Sequence, residues 1–275
     1  MPKVGVSLCI LAHNRIAETA NLIGSLRGWS GIDLEVCIAD QESGRQARTF
    51  AIQTADQFCD VSDRDLWNRG FGWAKQKAVS MASNDWVIVG DPGEVWHETV
   101  PDGSAERLAD TVQRLNSVPA FRTYYGGPRQ VQRLLNGHGS MQSMHGDICR
   151  IFDKRKMRVS GYIHEAPVHI ETGALWAVFA RKHAPVGLIE HVDQVLEVKP
   201  GSDHLGDQRS GLARDDAEAY IERKRILYDH LLHTIVKDPK KRHGTDFRWW
   251  TAHWNTVVAP RFREISFEEW KAVGG

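Results

Sequence analysis

The sequence is short of several things, and each shortage narrows the reading. Lys and Arg number 35 and Asp and Glu also number 35, so the 275-residue chain carries no net charge with its histidines neutral. Binding to a polyanion through overall charge is therefore excluded, and any nucleic-acid contact needs a local patch. Cysteine is scarce: Cys9, Cys37, Cys59 and Cys149 are widely spaced, with no C-x-x-C pair to suggest a structural zinc site. Cys9 and Cys37 lie in apolar runs and read as reduced core thiols. No apolar stretch approaches the ~18 residues of a membrane span. MPKVGVSL has neither the basic start nor the long apolar run of a signal peptide, so a reduced, cytoplasmic compartment is the expectation. There is no internal repeat and no low-complexity segment. No glycine-rich phosphate loop follows the first apolar run, LCILAHNR, which counts against a nucleotidyltransferase.

What is present suits one large domain, or one domain with an appendage: 41% hydrophobic and 25% charged residues, close to globular averages. VGVSLCILA (4–12), LEVCIA (34–39) and WVIV (86–89) read as strands apolar on both faces. Between them lie helical spacings over 16–27, a helix after QESGRQAR, and the series Trp67, Phe71, Ala74, Ala78, Met81. Ser104 is placed to cap a further helix carrying Ala105, Leu108, Val112 and Leu115. Strands alternating with amphipathic helices predict an α/β fold with a mostly parallel central sheet covered on both sides. Ligands in such sheets bind beyond the carboxyl ends of the strands. All three strand ends are polar here: HNR, DQES and DPGE.

Beyond about residue 118 come short strand candidates with glycine turns, and ALWAVFA (174–180) reads as another strand. Residues 215–236 form an amphipathic helix with Ala217, Tyr220, Ile221, Leu227, Leu231 and Ile235 on one stripe, stopped by Pro239. FRWWTAHWN reads as core. KPGSDHLGDQRSGLARDD reads as a mobile loop, either a linker or a lid.

VSLCILAHNR, VCIADQES, NRGFGWAKQKAVSMASNDWVIVGDPGE, CRIFDKRKMRVSGYIHEA, IEHVDQ and ERKRILYDHLLHTIVKDPKK occur in that order. Together they resemble the inverting family 2 glycosyltransferases, which have a Rossmann-like A-type nucleotide-sugar-binding fold; the fourth piece resembles the R-x-F…G-x-I-H-E signature of a bacterial subset. The resemblance implies transfer of a sugar from a nucleotide-sugar donor, most often a UDP-sugar, to an acceptor hydroxyl with inversion. It implies donor contacts at Ala12, Asn14, Arg15, Asp40, Lys75, Asp91 and Arg209. Three parts are expected: a catalytic domain over 1–199, a helical, Trp-rich segment over 215–275 and, on loop composition alone, a lid over 200–214 with Lys199, Arg209 or Arg214 available to meet the diphosphate.

VIVGDPGE resembles the family's metal-binding strand end, commonly Asp-x-Asp-Glu, with Gly93 where the second Asp stands. A leaving diphosphate gains negative charge that something positive must meet, and hard divalent cations with oxygen ligands do so. Mn²⁺ or Mg²⁺ is expected on Asp91, with Glu94 and His191 as partners. Gly93 leaves two alternatives open: a metal-independent site built on Lys or Arg, and a non-catalytic nucleotide-sugar or glycan-binding module. Restoring the acid with Gly93→Asp is expected to tighten metal binding. The general base is expected at Glu165, with His164 in reserve; a structural ion pair of Glu165 with Arg150 is the alternative. The acceptor is expected to be a glycan, lipid-linked glycan, peptide or modified DNA. Two basic clusters, 154–158 and 237–244, are where an anionic acceptor or nucleic acid would bind, with solvated surface charge as the plainer account.

Overall fold

Strand β1 (Val4–Ala12) is buried along most of its length because it lies inside the sheet with an apolar cluster on either side. Val6, Leu8 and Ile10 point into one cluster, and Cys9 points into the other. Truncating a fully buried side chain such as Leu8 costs about 2–5 kcal/mol. The computed structural model describes residues 3–140, 144, 146–162, 165–192, 214–238 and 252–273.

The chain continues through α1 (Ile16–Arg27), β2 (Ile32–Gln41), α2 (Arg45–Thr54), β3 (Gln57–Val61), α3 (Asp63–Met81), β4 (Trp86–Gly90) and β5 (Glu94–His97). There follow α4 (Leu108–Arg114), β6 (Ala120–Gly126), α5 (Pro128–Leu135), β7 (Gly146–Asp153), β8 (Met157–Ser160), β9 (Ala166–His169), α6 (Ala177–Ala180) and β10 (Leu188–His191). The C-terminal part holds α7 (Arg214–Lys237), a π-helical turn (Trp254–Val258) and α8 (Phe267–Ala272). Eight strands form one sheet in the order β3-β2-β1-β4-β7-β6-β10-β5, and β8 pairs with β9 as a separate hairpin. The first four strands of that order are parallel; β7 runs antiparallel to both of its neighbours, and β5 runs antiparallel to β10. The fold is thus the expected α/β sheet flanked by helices, with a mixed second half.

Two local readings differ. ALWAVFA contains the short helix α6, not a strand: Trp176 and Ala180, four apart, are buried while Val178 between them is 62% exposed. A strand would put those three side chains on one face. Ser104 does not cap α4. Its N–H and hydroxyl both bond Asp102, and Glu106 forms a bridge to Val186, which delays the helix to Leu108.

The C-terminal helices share the core of the sheet. Leu227, Leu231, Leu232, Val258 and Trp270 belong to the same apolar cluster as Cys9 and Val87. Trp67 stacks on His230 at 3.6 Å between ring centroids and lies 5.2 Å from Trp270. Lys271 of α8 bonds Asp63 and Glu42, each at 2.6 Å, so this segment is tied to the loop after β2.

Candidate functional site

Parallel pairing sets Ala12 beside Asp40, so the loops after β1 and β2 leave the sheet together. Asn14 joins them. Its φ of 53° lies in the left-handed region, which Asn tolerates better than most residues. Its N–H donates to Ser43 Oγ at 2.9 Å, and its Oδ1 accepts from the Gly44 N–H at 2.7 Å. A pocket lies between these loops, lined by Ala12, Asn14, Arg15, Thr19, Asp40 and Phe50 among others. Asp40 is fully buried there. Oδ2 accepts the Ser43 N–H at 3.1 Å, while Oδ1 has no hydrogen-bond partner. The hydroxyl of Thr19, also buried in this pocket, has none either. Buried polar atoms without partners are uncommon and costly, so a lone carboxylate oxygen on a residue that lines a pocket calls for a donor.

Next to this pocket, β4 stops at Gly90. A Cβ there would come within 2.9 Å of Leu22, so glycine is what lets α1 pack across the strand end. The chain then turns through Asp91–Glu94, with Gly93 at φ 97° and the Glu94 N–H donating to the Asp91 carbonyl at 3.1 Å. The two acids of this turn have different environments. Glu94 is 1% exposed. Its Oε2 accepts from the Asp91 N–H at 3.1 Å and from Trp96 Nε1–H at 3.2 Å, and its Oε1 accepts from Arg150 at 3.2 Å. The expected metal ligand Glu94 is thus engaged in holding its own turn closed. Asp91 keeps 33% of its side chain exposed. Arg15 bridges pocket and turn, donating through Nη1 to the Pro92 carbonyl at 2.9 Å.

Lys75 from α3 and Arg150 from β7 meet the acids. Lys75 is 5% exposed and bonds both Asp91 and Glu165. Arg150 lies 2.6 Å from Asp91 and 3.7 Å from Glu165. Burial favours a neutral Asp91, but the charges of Arg150 and Lys75 outweigh it and hold the carboxyl below its usual range. Burial likewise opposes the charge on Lys75, and Asp91 and Glu165 reverse the effect, so the ammonium persists. Asp91, Glu94 and Glu165 thus share two buried cations, Lys75 and Arg150.

His191 ends β10, opposite Glu94 in the antiparallel register with β5, and its ring stands edge-on to Tyr125 at 5.5 Å. Its charge is among those that favour the ionised form of Asp91. No three His, Cys, Asp or Glu side chains among the described residues are grouped to hold a metal ion. The described residues therefore offer no self-sufficient cation site. The donor set does fit a Mg²⁺- or Mn²⁺-type ion that arrives with a diphosphate. Such ions keep few protein ligands, often one or two carboxylates plus substrate phosphates. Asp91, the partly exposed acid of the turn, is the side chain available for it.

His164, Lys199 and Arg209 fall outside the described residues, as do most of the lid segment 200–214 and most of the basic cluster 237–244. Arg214 is the first residue of α7. The other basic cluster is largely neutralised. Arg155 pairs with Asp153 and Asp85, Lys156 with Asp153, and Lys154 donates to the Ala82 carbonyl. Cys9, Cys37 and Cys149 are free, buried thiols. Burial raises the pKa of the Cys9 and Cys149 thiols, which suits inert core residues. Arg150 stands in the R-x-F motif but received no site role from the sequence; its signal was an arginine inside an otherwise apolar strand.

The sequence profile of glycosyl transferase family 2 matches residues 7–166, more than half of the chain. The chain belongs to that family. No curated protein matches it. Among solved structures, it is similar to S. aureus TarS, at 15% identity over 46% of this chain and 22% of that one, with a TM-score of 0.35. A TarS fragment, residues 1–349, matches over 97% of this chain and 77% of that one at 10% identity and a TM-score of 0.38. The glucosyl-3-phosphoglycerate synthase of Mycobacterium tuberculosis, in complex with Mg²⁺ and uridine-diphosphate, matches at 15% identity over 45% of this chain and 44% of that one, with a TM-score of 0.31. This chain thus spans less than half the length of the full TarS chain and of the synthase. Among the described residues no helix is long and apolar enough to cross a membrane.

Proposed function

We propose that this chain transfers a sugar from a nucleotide-sugar donor, a UDP-sugar first, to an acceptor hydroxyl with inversion at the anomeric carbon. One observation carries the reading: Asp40 lines a pocket at the ends of β1 and β2, and its buried Oδ1 has no hydrogen-bond donor. The imide N–H of a pyrimidine or a ribose hydroxyl supplies the missing hydrogen bond. Ala12, Asn14 and Arg15 border the base, and the diphosphate lies towards Lys75 and Asp91. Asp91, with His191 as a second ligand, would hold a divalent cation, which would supply positive charge for the leaving diphosphate. Glu165 takes the proton of the attacking hydroxyl. His164 orients the acceptor, and 200–214 with Arg209 closes over the donor. In this reading 1–199 is the catalytic domain, 215–275 is a helical support, and the protein works in the cytoplasm on a glycan, lipid-linked glycan, peptide or modified DNA.

Nucleotide release from a panel of UDP-, GDP- and dTDP-sugars, with Mn²⁺ and with Mg²⁺, tests the reading. Release from at least one donor is expected. The absence of both release and nucleotide binding across the panel would overturn it. A second reading, a non-catalytic nucleotide-sugar or glycan-binding module, is favoured by Gly93 and by the ion pairs that already neutralise Asp91 and Glu165. Binding without release, in every donor and acceptor combination, would select it.

A further inference from the structure

Helix α3 is broken at Gly70, whose φ of 76° and ψ of 178° are not helical. The break leaves the first N–H groups of its second half without carbonyls one turn earlier. Two of these N–H groups have partners from another part of the chain. Phe71 donates to the Tyr162 carbonyl at 2.8 Å, and Gly72 donates to the Gly161 carbonyl at 3.0 Å. Ser160 pairs with Ala166 in the β8–β9 hairpin, and Gly161, Tyr162 and Glu165 belong to the connection between its strands. Gln76, one turn further along α3, accepts the Val159 N–H at 2.8 Å, and Lys75 bonds Glu165 at the end of this connection. Helix and hairpin are therefore joined at four points, through Phe71, Gly72, Lys75 and Gln76.

The fit leaves no room for side chains at the seat. A Cβ on Gly70 would lie 2.5 Å from the Tyr162 carbonyl oxygen, and one on Gly72 would overlap the Gly161 carbonyl oxygen. Both obstacles are backbone, which cannot rotate aside. On the facing segment, Gly161 has φ 121°, a conformation that other residues adopt only under strain.

From this geometry we infer that the break in α3 is a positioning device. Gly70 and Gly72 seat the hairpin so that Glu165 is delivered to the acid–cation cluster at Asp91. This inference rests on the proposed role of Glu165, and it adds positioning residues that touch neither donor nor acceptor. Misplacing a catalytic group by about 1 Å costs on the order of 10²-fold in rate, so a seat of this kind is read out in turnover and not in donor affinity.

The test uses Gly72→Ala on the helix side and Gly161→Ala on the hairpin side, with Gly24→Ala as control, since nothing lies within 4 Å of a Cβ at Gly24. For both seat variants kcat should fall by about 10- to 100-fold. Nucleotide Kd by calorimetry should stay within about twofold, and the control should match wild type. If Gly72→Ala gives no cooperative melt, Gly161→Ala decides alone, because its strain falls on the hairpin connection. Unchanged kcat in a folded seat variant, or parallel loss of kcat and nucleotide affinity, would overturn the inference. Glu165→Gln in the same assay separates the two claims: an active Glu165→Gln protein removes the proposed base, whatever the seat does. If the wild type shows no transfer at all, amide exchange decides. Phe71 and Gly72 should be protected in the wild type and exchange at least about tenfold faster in Gly161→Ala, and equal exchange would sink the seat.

Discussion

Arg150 Nη2 lies 2.6 Å from Asp91 Oδ2, and the same nitrogen reaches Glu94 at 3.2 Å. One guanidinium thus holds both acids of the turn after β4, the half-exposed one and the buried one. Arg150→Met would leave Glu94 buried and uncompensated, a change that typically costs about 3–5 kcal/mol. Urea denaturation at neutral pH should show a loss of that order. A midpoint within error of wild type would mean that Glu94 has found another partner. The acid side of the stability profile should change too. Asp91 is held below its usual value of 3.8, so its contribution is present above that pH and disappears as the pH falls through and below it. Wild-type stability should therefore fall more steeply below that point than the stability of Arg150→Met.

Asp40 should govern nucleotide affinity. Its Oδ1 is a buried acceptor without a donor, and a hydrogen bond to a charged group contributes about 1.5–3 kcal/mol. Asp40→Ala should weaken the best of UDP, GDP and dTDP by roughly 10- to 100-fold in calorimetry. An unchanged Kd would remove Asp40 from the donor site. Asp40→Asn is the gentler probe, because its side-chain carbonyl can still accept the Ser43 N–H.

The metal prediction changes once the turn is seen. A divalent cation held by Asp91 and a diphosphate together would join the two, so nucleotide binding should strengthen by about tenfold or more when Mn²⁺ or Mg²⁺ is added, with Asp91→Ala abolishing the gain. Equal affinity in EDTA and in Mn²⁺ would favour a site that relies on Lys75 and Arg150 alone. Gly93→Asp, expected from the sequence to tighten metal binding, should not do so. Gly93 sits at φ 97°, where an Asp is strained by about 1–3 kcal/mol. The variant should melt lower and bind metal no better.

The inner strands were readable because β1, β2 and β4 are apolar on both faces, and the polar ends HNR, DQES and DPGE do converge at one end of the sheet. The outer strands were not. β3 and β5 form the two edges of the sheet; QFCDV is mostly exposed or half-buried and EVWH alternates, so neither carries an apolar run. Pairing with β2 and β10 makes them strands, and that information lies elsewhere in the chain. The same limit applies to the site. Asp91 and Glu165 stood out as acids in suggestive motifs. That Lys75, ninety residues before Glu165, bonds both acids depends on the break at Gly70 and on the hairpin seated there. A glycine inside a helical pattern marks such a place without naming its partner.

Glu165 is the base of the proposed reaction. It is held by Lys75 and faces Arg150, near Asp91 but on a different element, the β8–β9 hairpin. An acceptor hydroxyl is a poor nucleophile at neutral pH, and a carboxylate that takes its proton as the new bond forms contributes typically ~10² to 10⁴ in rate. Lys75 and Arg150 both approach Glu165 through Oε1, so they compete with an acceptor hydroxyl for that oxygen. Glu165→Gln keeps the shape and removes the proton acceptor, so kcat should fall within that range while nucleotide Kd stays within about twofold. Normal turnover would place the base elsewhere. Loss of nucleotide binding along with turnover would instead assign Glu165 to the ion-pair frame of the donor site, the alternative that its contact with Arg150 supports.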